Sequence, residues 1–161
     1  MAYTPFNLEG KVALVTGGNR GIGFGFAQAL YDAGAAVAIW GSNEKNNHEA
    51  VEKLGSGAKA WTVNVADEKQ VAEAMVDVVS HFGRIDSVFA NAGIGGGAES
   101  FAEFPTETYR RVLSVNLDGV FFTLREAAKH MIERAKAGDP GGSLVGLASL
   151  AAIEGAAKNE A

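Results

Sequence analysis

The chain has 161 residues, 47% of them apolar, which suits one domain (1–161) with a full core and argues against disorder. Its net charge of −5 comes from 14 basic and 19 acidic residues with no basic run, which disfavours nucleic acid or an acidic membrane surface as a partner. Without cysteine there is no disulfide and no thiolate metal site; with no signal peptide and no apolar segment near the roughly 20 residues of a membrane span, a cytoplasmic location is expected.

After a polar lead-in (1–10), residues 11–16 read as a buried strand. The turn Thr16-Gly17-Gly18-Asn19-Arg20-Gly21-Ile22-Gly23 follows, and residues 22–32 read as a helix stopped by Gly34. A strand, a tight glycine turn and a helix N-terminus together form a phosphate-binding device. Glycines turn with positive φ and let the backbone approach a pyrophosphate, while the free N–H groups of the first helical turn face the anion. Alone, such a turn is weak evidence, because a merely flexible loop has the same composition.

Residues 36–40 read as a second strand, Gly41-Ser42-Asn43 as its turn, and 44–54 as a second helix. Residues 60–65 alternate as a third strand. Asp67-Glu68-Lys69-Gln70 has the form of a capping box, opening a helix with Val71, Met75, Val78, Val79 and Phe82 on one face. A fourth strand, 85–90, ends in Asn91-Ala92-Gly93, and a glycine-rich loop covers 94–99. One long helix is expected from Pro105 or Thr106 to about Ala137, where Asp139-Pro140-Gly141-Gly142 breaks it. Residues 143–148 form a fifth strand with Ser149 at its end.

Five alternations of apolar strand and helix indicate an α/β fold with a doubly wound parallel sheet covered on both faces. Ligands of such sheets bind beyond the carboxyl ends of the strands. Residues 17–23, 41–43, Asn64-Val65, 91–93 and Ser149 all fall there, which favours a nucleotide site over a flexible loop.

At this point the chain resembles the classical branch of the short-chain dehydrogenase/reductase family, from about Leu8 to its last residue. Four motifs carry the likeness: Thr16-Gly17-x-x-x-Gly21-x-Gly23; Asn91-Ala92-Gly93; Asn116 within Ser114-Val115-Asn116-Leu117-Asp118-Gly119-Val120; and Gly141-Gly142-Ser143 leading to Ser149. The resemblance implies a Rossmann-type fold, here with five of an expected seven strands, and an NAD(P)-dependent oxidoreductase acting between an alcohol and a carbonyl. It implies catalytic roles for Ser149, which would hydrogen-bond the substrate oxygen, and for Asn116, which would hold a water and kink its helix. Plainer roles are a strand-end turn for Ser149 and a helix tie for Asn116. The cofactor residues are then Gly17, Asn19, Arg20, Gly21, Ile22, Gly23, Ser42, Asn64, Val65, Asn91, Ala92 and Gly93.

The chain departs from the family's Tyr-x-x-x-Lys motif. Four residues beyond Tyr3, Tyr31 and Tyr109 stand Asn7, Ala35 and Leu113, and Lys158 lacks the pairing. Carbonyl reduction needs a donor that stabilises charge on oxygen and supplies a proton. The expectation is therefore that catalysis uses a Tyr/Lys pair downstream and that these residues alone are inactive. A non-catalytic dinucleotide-binding fragment or pseudoenzyme is the alternative, and strand five would be a bare apolar edge.

At the end of strand two, where an acid would contact the ribose 2′-hydroxyl of NAD, stands Gly41, followed by Ser42 and Asn43. With Arg20 nearby, NADP is expected, with NAD as the alternative. Asn64 stands where the family commonly has Asp and keeps an acceptor oxygen. His48, His81 and His130 read as solvated helix residues without metal-ligand spacing, and Trp40 and Trp61 as core. Glu99, Glu103 and Glu107 read as an exposed helix start. The long helix has more apolar surface than one sheet face needs, and the resemblance implies that it helps form a dimer interface, so a homo-oligomer is expected; the resemblance likewise implies a small alcohol or ketone substrate.

Overall fold

The computed structural model describes residues 6–154; the lead-in through Pro5 and Lys158 lie outside them. Five strands, β1 (Val12–Thr16), β2 (Ala36–Gly41), β3 (Ala58–Thr62), β4 (Ser87–Ala90) and β5 (Ser143–Gly146), form one sheet in the order β3-β2-β1-β4-β5. Every neighbouring pair is parallel. Successive strands step outward from β1 to β3, and the chain then crosses back to β4. The switch point of this α/β, doubly wound sheet is therefore between β1 and β4.

Period-two alternation divides the core between two faces. Leu14, Ala38 and Trp40 face a cluster with Val71, Met75 and Val78 of α3 (Glu68–Phe82) and Ala127 of α5 (Gly119–Lys136). Val15, Val37 and Ile39 face Ala27 of α1 (Gly21–Asp32) and Ala50 and Leu54 of α2 (Glu44–Leu54). Trp40, Leu14 and Ile39 are wholly buried, each stabilising by about 1.5–3 kcal/mol through apolar burial alone. Trp61 differs from expectation. It is only partly buried, packing edge-on against His81 and Phe82 at the rim of the core.

Several boundaries and ties depart from the sequence reading. β3 ends at Thr62, so Val63 to Val65 leave the sheet. Asp67 caps α3, its Oδ1 accepting the Lys69 and Gln70 N–H groups at 3.0 and 3.1 Å. The reciprocal half of the capping box is redirected. Gln70 Oε1 accepts the N–H of Asn64 at 3.1 Å, because the Asp67 N–H already donates to the Asn64 carbonyl at 3.0 Å.

The expected long helix is three pieces: α4 (Thr106–Leu113), a π turn (Ser114–Asp118) and α5. Two contacts account for the break. The Asn116 amide is drawn sideways to the backbone of Ile94, and Gly119 presses on Val65 so closely that a Cβ there would lie 2.8 Å from Val65 Cγ2. β5 lies at the sheet edge, with Leu144 42% exposed.

At the amino ends of β1 and β4, Asp86 gathers an ion cluster. Its carboxylate accepts from Arg84 Nε and Nη2 at 2.8 and 2.6 Å and from the Val12 N–H at 3.0 Å, with Arg134 at 3.4 Å and Lys11 at 3.7 Å. Burial would raise the Asp86 pKa, but the Arg84 hydrogen bonds, the Val12 amide and the charges of Arg84 and Arg134 hold it below the ordinary value. Arg134 Nη1 also donates to the Ile85 carbonyl at 2.6 Å. His130 is not a solvated helix residue. It is half-buried and its Nε2 accepts the Ile85 N–H at 3.2 Å.

Candidate dinucleotide cleft

The cleft opens above the switch point, at the carboxyl ends of the strands, and encloses about 610 Å³. All twelve residues assigned to the cofactor line it: Gly17, Asn19, Arg20, Gly21, Ile22, Gly23, Ser42, Asn64, Val65, Asn91, Ala92 and Gly93. They come from four separate segments of chain, brought together because each follows or lies just beyond a strand of one parallel sheet. Trp40, Val63, Ile94 and Val115 add apolar wall.

The turn after β1 is built on glycine for stated reasons. Gly17 and Gly21 have φ of +63° and +54°, the left-handed region. A Cβ on Gly23 would fall onto the Gly17 carbonyl oxygen and Asn91 Nδ2. One on Gly21 would meet nothing, so that backbone faces open space. α1 begins at Gly21 with no side-chain cap, and its first helical bond is from the Phe24 N–H to the Arg20 carbonyl at 3.1 Å. The amides of Gly21, Ile22 and Gly23 precede that bond and have no acceptor within the helix.

Neutral hydrogen bonds hold this turn. The Gly17 N–H donates to the Trp40 carbonyl at 2.7 Å. Thr16 Oγ1 accepts the N–H groups of Asn91 and Ala92 at 3.0 and 2.9 Å, and Asn91 Nδ2 donates to the Thr16 carbonyl at 2.9 Å. Thr16 thus fastens the ends of β1 and β4. Across the cleft, Asn64 Oδ1 accepts the Ala66 N–H at 3.2 Å, so the oxygen expected to face a ligand is already engaged. Arg20 is the one charged side chain among the described residues lining the cleft, and it is exposed with Ser42.

The two catalytic assignments lie apart from this wall. Asn116 does not line the cleft. Its Oδ1 accepts the Ile94 N–H and its Nδ2 donates to the Ile94 carbonyl, both at 2.9 Å, tying the π turn to the loop after β4. Ser149 is exposed at the start of a short 3-10 turn, its Oγ accepting the Ala151 N–H at 3.2 Å.

Two residues that support the site were given no role from sequence. One is Thr16, read only as the start of the glycine turn. The other is Asn47 on α2, 4% exposed, whose Oδ1 accepts from Asn19 Nδ2 at 2.7 Å. The signal for Asn47 was present, since it shares the buried stripe of α2 with Ala50 and Leu54.

Comparison with known proteins agrees with this geometry. The family model described as short chain dehydrogenase matches residues 11–161. Short chain dehydrogenase/reductase dmxR18 of Cryptosporiopsis sp. is 40% identical over 136 residues, covering 80% of this chain and 50% of its own length. Versicolorin reductase 1 of Aspergillus parasiticus is 41% identical over 133 residues, covering 78% and 49%. The chain therefore spans about half the length of the curated relatives it matches. Among solved structures, NAD+-bound xylitol dehydrogenase superposes with a TM-score of 0.86 at 32% identity, over 95% of this chain and 58% of that one. The 3-ketoacyl-(acyl-carrier-protein) reductase of Brucella melitensis, complexed with NADH, gives 0.81 at 31%, over 86% and 57%. Motifs, sheet order and relatives agree, and the chain belongs to the short-chain dehydrogenase/reductase family.

Proposed function

We propose that the cleft binds a nicotinamide dinucleotide and that the protein transfers hydride between it and a small alcohol or carbonyl compound. The observation that carries this reading is the convergence of all twelve assigned residues on one cleft at the switch point of the sheet. The glycine cradle fits a diphosphate. Gly21 presents bare backbone to open space, and the amides of Gly21, Ile22 and Gly23 lack helical acceptors where an anion is favoured. Asn64 and Val65 would flank the base, and Asn91 to Gly93 would support the remainder along the rim. When bound, the cofactor supplies or accepts the hydride.

NADP is the preferred form in this reading. No carboxylate stands on residues 41–43 to repel a 2′-phosphate, and Arg20 brings a guanidinium to the same wall, with Ser42 able to donate a hydroxyl. Ser149 would orient the substrate oxygen, and Asn116 would fix the floor of the entrance through Ile94. Neither group supplies a proton readily near neutral pH, so proton donation falls to a Tyr/Lys pair outside these residues. The reading includes a homo-oligomer in the cytoplasm, supported by the exposed Tyr109 of α4, Leu117 of the π turn and Phe121 of α5. No described helix is long and apolar enough to cross a membrane.

A second reading, a dinucleotide-binding protein without turnover, is favoured by Asn116 and Ser149, which do not line the cleft and whose side chains are engaged with backbone groups. Fluorescence titration with NADPH and NADH, followed by turnover of a panel of ketones, separates the two. Binding without turnover by the full-length protein selects the second reading. Arg20→Ala should weaken NADPH about tenfold and NADH hardly at all; equal loss of both would remove the NADP assignment.

A further inference from the structure

We infer that Asn47, which does not line the cleft, is a positioning residue for the dinucleotide, acting through an amide bridge to Asn19 that only a glycine at position 41 permits. The inference rests on the dinucleotide reading of the cleft. Asn47 is buried within an otherwise apolar stripe, and its primary amide is used in both directions. Nδ2 donates to the Gly41 carbonyl at 3.0 Å, with the Trp61 carbonyl at 3.3 Å and Thr62 Oγ1 at 3.4 Å. Those acceptors fix which end of the amide is nitrogen. The oxygen is left to the turn, where it accepts from Asn19 Nδ2 at 2.7 Å. One side chain on α2 thereby joins the ends of β2 and β3 to the phosphate turn.

An apolar residue would fill the same stripe position without burying an amide. What the amide adds is the hold on Asn19, the middle of the three residues between Gly17 and Gly21, which ties the turn carrying those N–H groups to α2. The bridge has a steric condition. A Cβ on residue 41 would fall on Asn19 Nδ2 and Asn47 Oδ1 and lie 2.8 Å from Asn19 Cγ. Residue 41 is also where an acid would reach the ribose 2′-hydroxyl in this fold. The bridge and a carboxylate at that position compete for one volume. Cofactor selectivity and the posture of the phosphate turn are therefore coupled through three residues, Asn19, Gly41 and Asn47.

The test is a titration of NADPH and NADH onto the full-length protein and its variants, with thermal unfolding of each. Asn47→Ala should weaken NADPH about tenfold, the scale of one lost hydrogen bond in a positioned site, and under about twofold when Asn19→Ala is already present. Gly41→Ala, which changes no charge, should also cost about tenfold alone and under about twofold in the Asn19→Ala/Asn47→Ala background. Gly41→Asp alone should lose NADPH without gaining NADH; with both asparagines replaced it should gain NADH. If Asn47→Ala does not fold, Gly41→Ala with and without Asn19→Ala carries the test, its loss falling from about tenfold to under about twofold once Asn19 is replaced. Variants that bind as tightly as the wild type, or an Asn47→Ala loss that is the same with and without Asn19, would overturn the bridge while leaving the cleft intact. A wild-type protein that binds neither dinucleotide would overturn both.

Discussion

At the amino ends of β1 and β4 the sheet is closed by charge: Asp86, Arg84, Arg134, Lys11 and Asp139 share one cluster. At the carboxyl ends of the same strands the ties are neutral, through Thr16, Asn91, Asn47 and Asn19. The two ends do the same mechanical work with different chemistry. A rim that takes an anion, as proposed, gains nothing from carboxylates and leaves its field to helix amides and, among the described lining residues, a single guanidinium, Arg20. At the far end charges of both signs pair, and such pairs are limited only by desolvation.

The largest effect should come from the charged end. Asp86→Ala removes the shared partner of two arginines and of the Val12 amide, and should cost about 3 kcal/mol in urea unfolding. A loss under about 1 kcal/mol would break the contrast, because the cluster would then be ornamental. Next is the neutral end. Gly23→Ala drives a Cβ onto the Gly17 carbonyl and should cost about 2 kcal/mol by overpacking, together with at least about tenfold in dinucleotide affinity. Affinity preserved in that variant would mean the turn yields more freely than its geometry implies.

Thr16→Val is smaller. It keeps the shape of a side chain in a 2% exposed site but leaves the Asn91 and Ala92 amides without the hydroxyl acceptor, for about 1–2 kcal/mol. The smallest effect concerns pH and sharpens the contrast. Burial first, then the Arg134 charge, holds the His130 pKa below its ordinary value of 6.5. The unfolded chain then binds the extra proton more readily. The stability from neutral His130 is complete above pH 6.5 and is lost as pH falls through the folded-state value. Unfolding free energy should decline over that interval, and His130→Leu should abolish the decline. A decline that survives the substitution assigns it to another group. Asp86 acts lower, its share being lost only below the usual carboxylate range.

The strands and helices were legible because apolar runs, glycine stops and the Asp67 cap act locally; α2 has the bounds its sequence implies. The twelve assigned cleft residues were legible because each sits in a segment that follows a strand, which topology alone brings together. Asn47 was not singled out within its helix, and His130 was read as a solvated helix residue. Both lie in buried stripes: Asn47 with Ala50 and Leu54, His130 one turn beyond Ala127. A polar residue in such a stripe has a partner across the interface, and sequence periodicity points to the position but not to the partner. A kink at Asn116 was expected only through the family resemblance, because the cause of the π turn, the Asn116–Ile94 pair, joins residues 22 positions apart.

That wide turn also keeps a phase. A residue advances an α-helix by about 100°, and the π geometry at Ser114–Asp118 absorbs one residue beyond regular winding. Deleting a single residue there would let α4 wind straight into α5 with the faces that follow unrotated. Thr123 and Ala127 would stay packed inward, and what would go is the sideways reach of residue 116 to the backbone of Ile94. The surplus residue in this five-residue window therefore serves the loop after β4 rather than the core.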